Sequence, residues 1–400
     1  MIVAQNSDGQ HAGIGNALGW GAYLASSWTW CIGMFLPVLL IRDYGWAAWA
    51  VFALPNVIGA AAMGWTVRSA DHSRALVAAH GPAMLLFSLV TRAFQWFFAA
   101  ALVRLAIEGG VAPQVLAPLA AGVLLVRGAA RVSGALRWAG VAFLLLSATL
   151  FLIGAMLAGW TFPAPAGVDA VSGQLGQLPL LWLGLSCIFG FALCPYLDLT
   201  FHRARQETGS RSGVAFGVGF GVFFLTMILI TPTYAGLAWA LSGTAGVLVA
   251  AHIMGQLSFT QEVHDVEAST PAAWTGPLER AKGFGPELLS VAGFLIGPIA
   301  FALTVMLPSD SPQAGFETGY RVFMGAYAVL FPAYVWICAM PTWANPRRPT
   351  TRAVVAWLVV CTAATPMFML AFLDGEMWQI GPALVVLLVG RLLVGSPRAA

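Results

Sequence analysis

Charge is what this chain has least of. Asp, Glu, Lys and Arg make up 9% of its 400 residues, against about a quarter in a soluble domain. So little charge cannot clothe a globule in water, which excludes a water-soluble enzyme, a nucleic-acid binder and a disordered scaffold. Cysteine is scarce too. Cys31, Cys187, Cys194, Cys338 and Cys361 all lie in apolar runs with no CxxC pair, and read as small buried hydrophobes rather than disulfide partners or metal ligands. The chain lacks a GxxxxGK[ST] loop, an HExxH pair and paired carboxylates within an apolar run. Gly13, Gly15, Gly19 and Gly21 follow no strand and so form no dinucleotide fingerprint. With no nucleophile–base pair in view, neither an enzyme nor a bound cofactor is expected. No basic segment precedes the first apolar run, so no cleavable leader is expected either.

What is present is hydrocarbon: 59% of residues are apolar and the mean hydropathy is +0.82. Crossing about 30 Å of bilayer takes roughly 20 apolar residues. Twelve runs qualify: 18–41, 46–67, 75–107, 111–126, 134–158, 178–201, 212–237, 243–261, 284–307, 319–341, 350–372 and 375–394. The reading is an all-α polytopic membrane protein of about 12 transmembrane helices. The third run would be about 50 Å long as a helix, so it must tilt, bend or project. With the N-terminus inside, 15 of the 19 basic residues fall on the inner side, Arg42, Arg104 and Arg321 on the outer, and Arg92 within a run. Basic residues stay cytoplasmic, so both termini are expected inside, in the bacterial cytoplasmic membrane (the cell inner membrane). Trp20, Trp46, Trp160, Trp239, Trp343 and Trp378 lie near run ends, where indoles favour the headgroup region. The longest gaps are 159–177, outside, and 262–283, inside. The inner one carries Glu262, His264, Asp265, Glu267, Glu279, Arg280 and Lys282. It reads as a solvated connection, with an interfacial helix, weak metal ligands or a protein-docking segment as the alternatives.

Two runs look interrupted. The first carries Ser26, Ser27, Thr29, Cys31, Gly33 and Pro37; the sixth carries Gly190 and Pro195. Proline frees a carbonyl, and within hydrocarbon that carbonyl needs a partner from protein or trapped water. Ordinary kinks are the alternative. Arg92 is the costliest residue, near the middle of the third run, at about 2.5–3.5 kcal/mol on insertion scales. It must face the bundle or a cavity, where its five donors suit a carboxylate or a ring of carbonyls. Gln95 and Trp96 share or border its face, so the trio would hold an organic anion or zwitterion; a structural arginine is the alternative. Trp28 and Trp30 lie deep beside the polar part of run one and would pack a solute's apolar part, or the core. Asp198 and His202, four apart at the inner end of run six, would form a gate or proton relay, or an interfacial salt bridge. His252, inside run eight, would join the ion-coupling or gating residues, with a hydrogen-bonded core histidine as the alternative. Gln256, Ser258, Thr260 and Gln261 give run eight a polar inner half suited to a cavity wall.

Two segments, 21–65 and 187–219, resemble the sodium/solute symporter family, within the larger superfamily of transporters built on a five-plus-five inverted repeat. In the first, small and hydroxyl residues and a mid-membrane glycine precede Tyr44-Gly45; in the second, Gly190 and Pro195 precede Arg203-Ala204 and Arg211. The resemblance implies an N-terminal segment 1–17, a ten-helix inverted-repeat core over 18–341, two further helices over 342–394 and a tail, 395–400. It also implies secondary transport of a small organic anion or amino-acid-like solute by alternating access. The broken backbones near Gly33 and Gly190 would contribute carbonyls and amides. In the family's eighth core helix, hydroxyls that meet sodium follow a stretch like Ala250–Met254; here that step is Gly255-Gln256, with Ser258 and Thr260 later, so sodium and protons both stay open as coupling ions. The expected partners are the lipid bilayer and the solute, with a protein partner at 262–283 and no nucleic acid. A transporter-like structural or sensory subunit is the other reading.

Overall fold

In hydrocarbon every backbone polar group must be satisfied within the chain, which leaves the helix as the default for long apolar runs. The computed structural model describes residues 13–108, 110, 112–132, 134–157, 159, 178–231, 244–306 and 312–394. Within these it is all helix and turn. Trp160, Trp239, most of 159–177, the first 12 residues and the tail 395–400 lie outside them. Among the described residues, nine helices are long and apolar enough to cross a membrane, and a bent pair, Ile14–Trp28 and Cys31–Tyr44, forms a tenth span. The more polar helix Thr244–Ala268 and the shorter Met377–Leu393 occupy the eighth and twelfth expected positions. Large apolar side chains such as Leu124, Leu303 and Val359 point outward, as a lipid-facing surface requires.

Numbering the spans one to twelve in chain order, the neighbour pattern carries an internal symmetry. Span one packs on seven as six packs on two; three packs on nine as eight packs on four; one packs on five as six packs on ten. Exchanging spans one to five for six to ten in order (one for six, two for seven, and so on, in both directions) turns the first member of each couple into the second, and the pairs two–seven and three–eight map onto themselves. That is the signature of two five-helix repeats. Span eleven (Thr351–Asp374) lies against span ten, and span twelve against spans eleven and six. Close approaches rest on glycine. A Cβ at Gly59 of span two would overlap the Phe191 carbonyl of span six, and one at Gly297 of span nine the Ala93 carbonyl of span three. Gly45, at φ 79°, is the sole residue between the helices of spans one and two, a turn that a residue with a Cβ enters only under strain.

Three boundaries differ from expectation. Span three is a single helix, Ala70–Glu108, of 39 residues, or about 58 Å. Its first turns lie beside His202, Thr275 and Trp343, so Arg92 is level with Asp265 and Ser290, residues near the starts or ends of their own helices. Span eight does not stop at 261 but runs to Ala268. Glu262, His264 and Glu267 are therefore buried helix residues rather than part of a connecting segment, because Leu257, Phe259 and Val263 continue the buried face past them. Span six, cut in two as Leu178–Leu193 and Leu199–Thr208, runs to 208 rather than 201.

Candidate functional site

The two broken spans meet at the centre of the site, and both break away from the glycines. Gly33 and Gly190 lie inside continuous helix. Span one opens at Thr29, whose φ of −77° and ψ of 67° make an inverse γ-turn closed by Trp30 N donating to the Trp28 carbonyl at 2.8 Å. The halves bend by 60°. Side chains take up the carbonyls that such a break frees. The Trp30 indole donates to Ser27, Thr260 of span eight to Ser26 at 3.2 Å, and Tyr320 of span ten to Cys31 at 3.0 Å. Span six breaks at Pro195, through one tight turn over Cys194–Leu197 to an extended Asp198. Asp198 then caps the second half-helix, its Oδ1 accepting from Thr200 N at 2.8 Å and Thr200 Oγ1 at 2.7 Å. A carboxylate at that position satisfies exposed amides and meets the positive end of the helix dipole.

A cavity of about 970 Å³, counting space open to solvent, reaches down to these breaks. Trp28, Trp30, Cys194 and Tyr327 line its deep end, and Asp43, Tyr44 and Arg321 line its mouth. Gly33 and Gly190 are also wall residues. The Trp28 and Trp30 rings lie 4.5 Å apart between centroids. Trp28 donates to Asn56 at 2.8 Å, and Tyr327 donates to Thr91 at 2.8 Å. At the mouth Arg42 grips Glu317 with two bonds, 2.7 and 2.9 Å, and also meets Asp43; Arg321 pairs with Asp43 at 2.6 Å. This network joins the C-terminal end of span one to span ten.

Arg92, Gln95 and Trp96 are not among the residues lining this cavity. Arg92 pairs with Asp265 at 3.0 Å and donates to Ser290 Oγ at 2.9 Å. With its amide oxygen turned toward them, Gln261 accepts from Arg92 Nε at 2.9 Å and from Trp96 Nε1 at 3.0 Å. Arg127 of span four completes the group through Glu262 and Asp265. The guanidinium therefore ties spans three, eight and nine together, and its carboxylate is the chain's own. Gln95 is buried with neither end of its amide hydrogen-bonded among the described residues.

The expected gating residues scatter. His202 does not pair with the Asp198 side chain: its Nε2 donates to the Tyr196 carbonyl at 3.0 Å and its Nδ1 accepts from Ser73 at 2.9 Å. Gln256 turns to Ser147 of span five and Ser258 to the Leu119 carbonyl of span four, and His252 packs against Phe151. Thr260 alone of the three polar span-eight residues reaches span one. What the sequence reading missed is His264. It lies one helical turn beyond Thr260, as Thr260 does beyond Gln256, and its Nε2 sits 3.8 Å from Asp198 Oδ2 with both side chains fully buried. The four-residue spacing was the available signal, obscured by ending the helix at Gln261.

No known protein family and no curated protein matches the sequence. Solved structures do. The manganese transporter of Eremococcus coleocola, in complex with an aromatic bis-isothiourea substituted compound, superposes with a TM-score of 0.55 at 13% identity, over 96% of this chain and 94% of that one. Two mutants of that transporter give 0.53 and 0.50 at 14% identity, over 96% and 95%. The fold is the five-plus-five inverted repeat. The likeness reaches that superfamily fold and does not single out the sodium/solute symporters. In inverted-repeat folds substrates and coupling ions meet at broken helices near mid-membrane, where this chain brings Trp28, Trp30 and Asp198 together. Among the described residues, no three His, Cys, Asp or Glu side chains converge as a metal site would require.

Proposed function

We propose that this chain is a secondary transporter that carries a small organic solute by alternating access, with the cavity above Trp28 and Trp30 as its substrate site. The observation that carries this reading is the cavity's position, its deep end formed by two broken spans from symmetry-related places in the repeats. Its lining is mostly apolar with a few placed polar groups, as small-molecule sites are. An amino-acid-like or anionic solute fits it. The apolar part would lie on the two indoles, with Asn56 and Ser186 at hand. The carboxylate role expected of Arg92 passes to Arg321, which lines the mouth and rests on Asp43; a zwitterion would engage both members of that pair. A divalent cation fits less well, since among the described residues Asp198 is the only carboxylate within the two breaks.

Thermal unfolding of the purified full chain against the 20 standard amino acids and short organic acids, with and without sodium, tests the reading. A bound solute at a hundred times its Kd adds about 2.7 kcal/mol of stability. We expect at least one compound to raise the midpoint, Trp30→Phe and Arg321→Gln to weaken that effect at least tenfold in concentration, and the same compound to enter proteoliposomes. No stabilisation and no flux across the panel would refute it.

A further inference from the structure

The Asp198–His264 pair has features no structural role accounts for. Both side chains are fully buried, and Asp198 Oδ2, His264 Nδ1 and His264 Nε2 have no hydrogen-bond partner among the described residues. Oδ1 is fixed by two donors from Thr200, and Thr200 Oγ1 also reaches Ser27 Oγ at 3.2 Å. That anchoring leaves Oδ2 aimed across the break at the imidazole. His264 in turn stands edge-on to Trp30, 5.7 Å between ring centroids, and beside Phe87 at 6.4 Å.

A buried carboxylate without a counter-charge is costly, and so is a lone buried imidazolium. One proton between the two removes both costs, as a neutral acid beside a neutral imidazole or as an ion pair. The surrounding charges do not substitute for it. Arg92 of span three, whose charge acts on His264, is engaged by Asp265. Glu267, further along span eight, is within electrostatic reach of Asp198 but accepts from Tyr23 of span one, at 3.5 Å. Tyr327 of span ten is bonded to Thr91, and Cys194 to the Tyr327 carbonyl. Arg203, on the second half of span six, pairs with Glu207.

We propose that Asp198 and His264 form a proton-binding site, and that the proton is the ion coupled to solute movement. A proton from water bonds to the His264 Nε2 lone pair, the new N–H donates to Asp198 Oδ2, and the proton returns to water when the pair opens to the other side. Binding draws the cap of the second half of span six onto span eight, directly beneath the indole that floors the cavity. The coupling role rests on the transport reading; the proton site does not.

The test follows the imidazoles of the full chain, labelled at histidine Cε1 and observed by NMR in detergent. His264 is the resonance lost in His264→Gln. We expect its chemical shift to report the protonation of the coupled pair between about pH 5 and 8, and that response to vanish or move by about one pH unit or more in Asp198→Asn, since an adjacent charge shifts a titration by that order. Asn caps a helix as well as Asp does, so that variant keeps the half-helix. A His264 resonance that stays flat across the range, or that titrates identically in Asp198→Asn, overturns the proposal. Titration in a protein that carries none of the screened solutes keeps the proton site and removes its coupling role. Solute flux that ignores an imposed pH gradient removes that role too.

Discussion

Arg92 shows why one residue's cost does not reveal its purpose. Its position within a long apolar run demanded a partner, and it has three, Asp265, Ser290 and Gln261. Replacing it with Gln leaves Asp265 with only Arg127, at 3.6 Å, and removes the charge that Gln261 accepts from. Breaking such a buried pair from one side costs about 3–5 kcal/mol. We therefore expect Arg92→Gln to lower the unfolding midpoint sharply while the concentration of solute needed for stabilisation stays within about twofold, since the cavity is untouched; a much weaker solute response in folded variant would return Arg92 to the site. That Arg92 needed company was legible in the sequence. Which company was not, because Asp265 and Gln261 lie some 170 residues along the chain, on a helix whose end was misplaced by one to two turns.

At the scale of elements, the apolar runs were legible because bilayer thickness fixes their length. Pro195 marked the sixth span's break correctly, since proline removes a donor. The first break carried no such mark. It falls in Trp28-Thr29-Trp30, where neither Gly nor Pro occurs, and is held by the Thr260 and Tyr320 hydroxyls, donors to the Ser26 and Cys31 carbonyls that only the folded chain brings near. Glycines instead mark contact, as Gly59 does between spans two and six. Gly59→Ala would push its methyl into the Phe191 carbonyl and the Ala192 amide, and overpacking of this kind costs about 1–3 kcal/mol. We expect a lower unfolding midpoint that Phe191→Ala does not restore, because the obstruction is backbone. Recovery in the double variant would contradict this account of the interface.

For the whole molecule, the repeat symmetry appears in which spans touch rather than in any sequence echo, so it was accessible only through resemblance. Direction is the remaining property at this scale. The cavity mouth carries Asp43 and Arg321, on the side expected outside from the distribution of basic residues. In a Cys187→Ala, Cys194→Ala background, which clears the thiols lining the cavity, Met324→Cys should react with a membrane-impermeant maleimide added to intact cells, and a stabilising solute should slow that reaction. Labelling only after the membrane is opened would reverse the orientation.

The single-residue joint at Gly45 has a mechanical result. With no slack between the second half of span one and span two, a swing of the first must haul the second with it, and span two bears on span six through Gly59. Any opening of the mouth then travels as one lever stroke from one repeat into the other, and loosening that joint with added residues would uncouple the stroke without altering the chamber it serves.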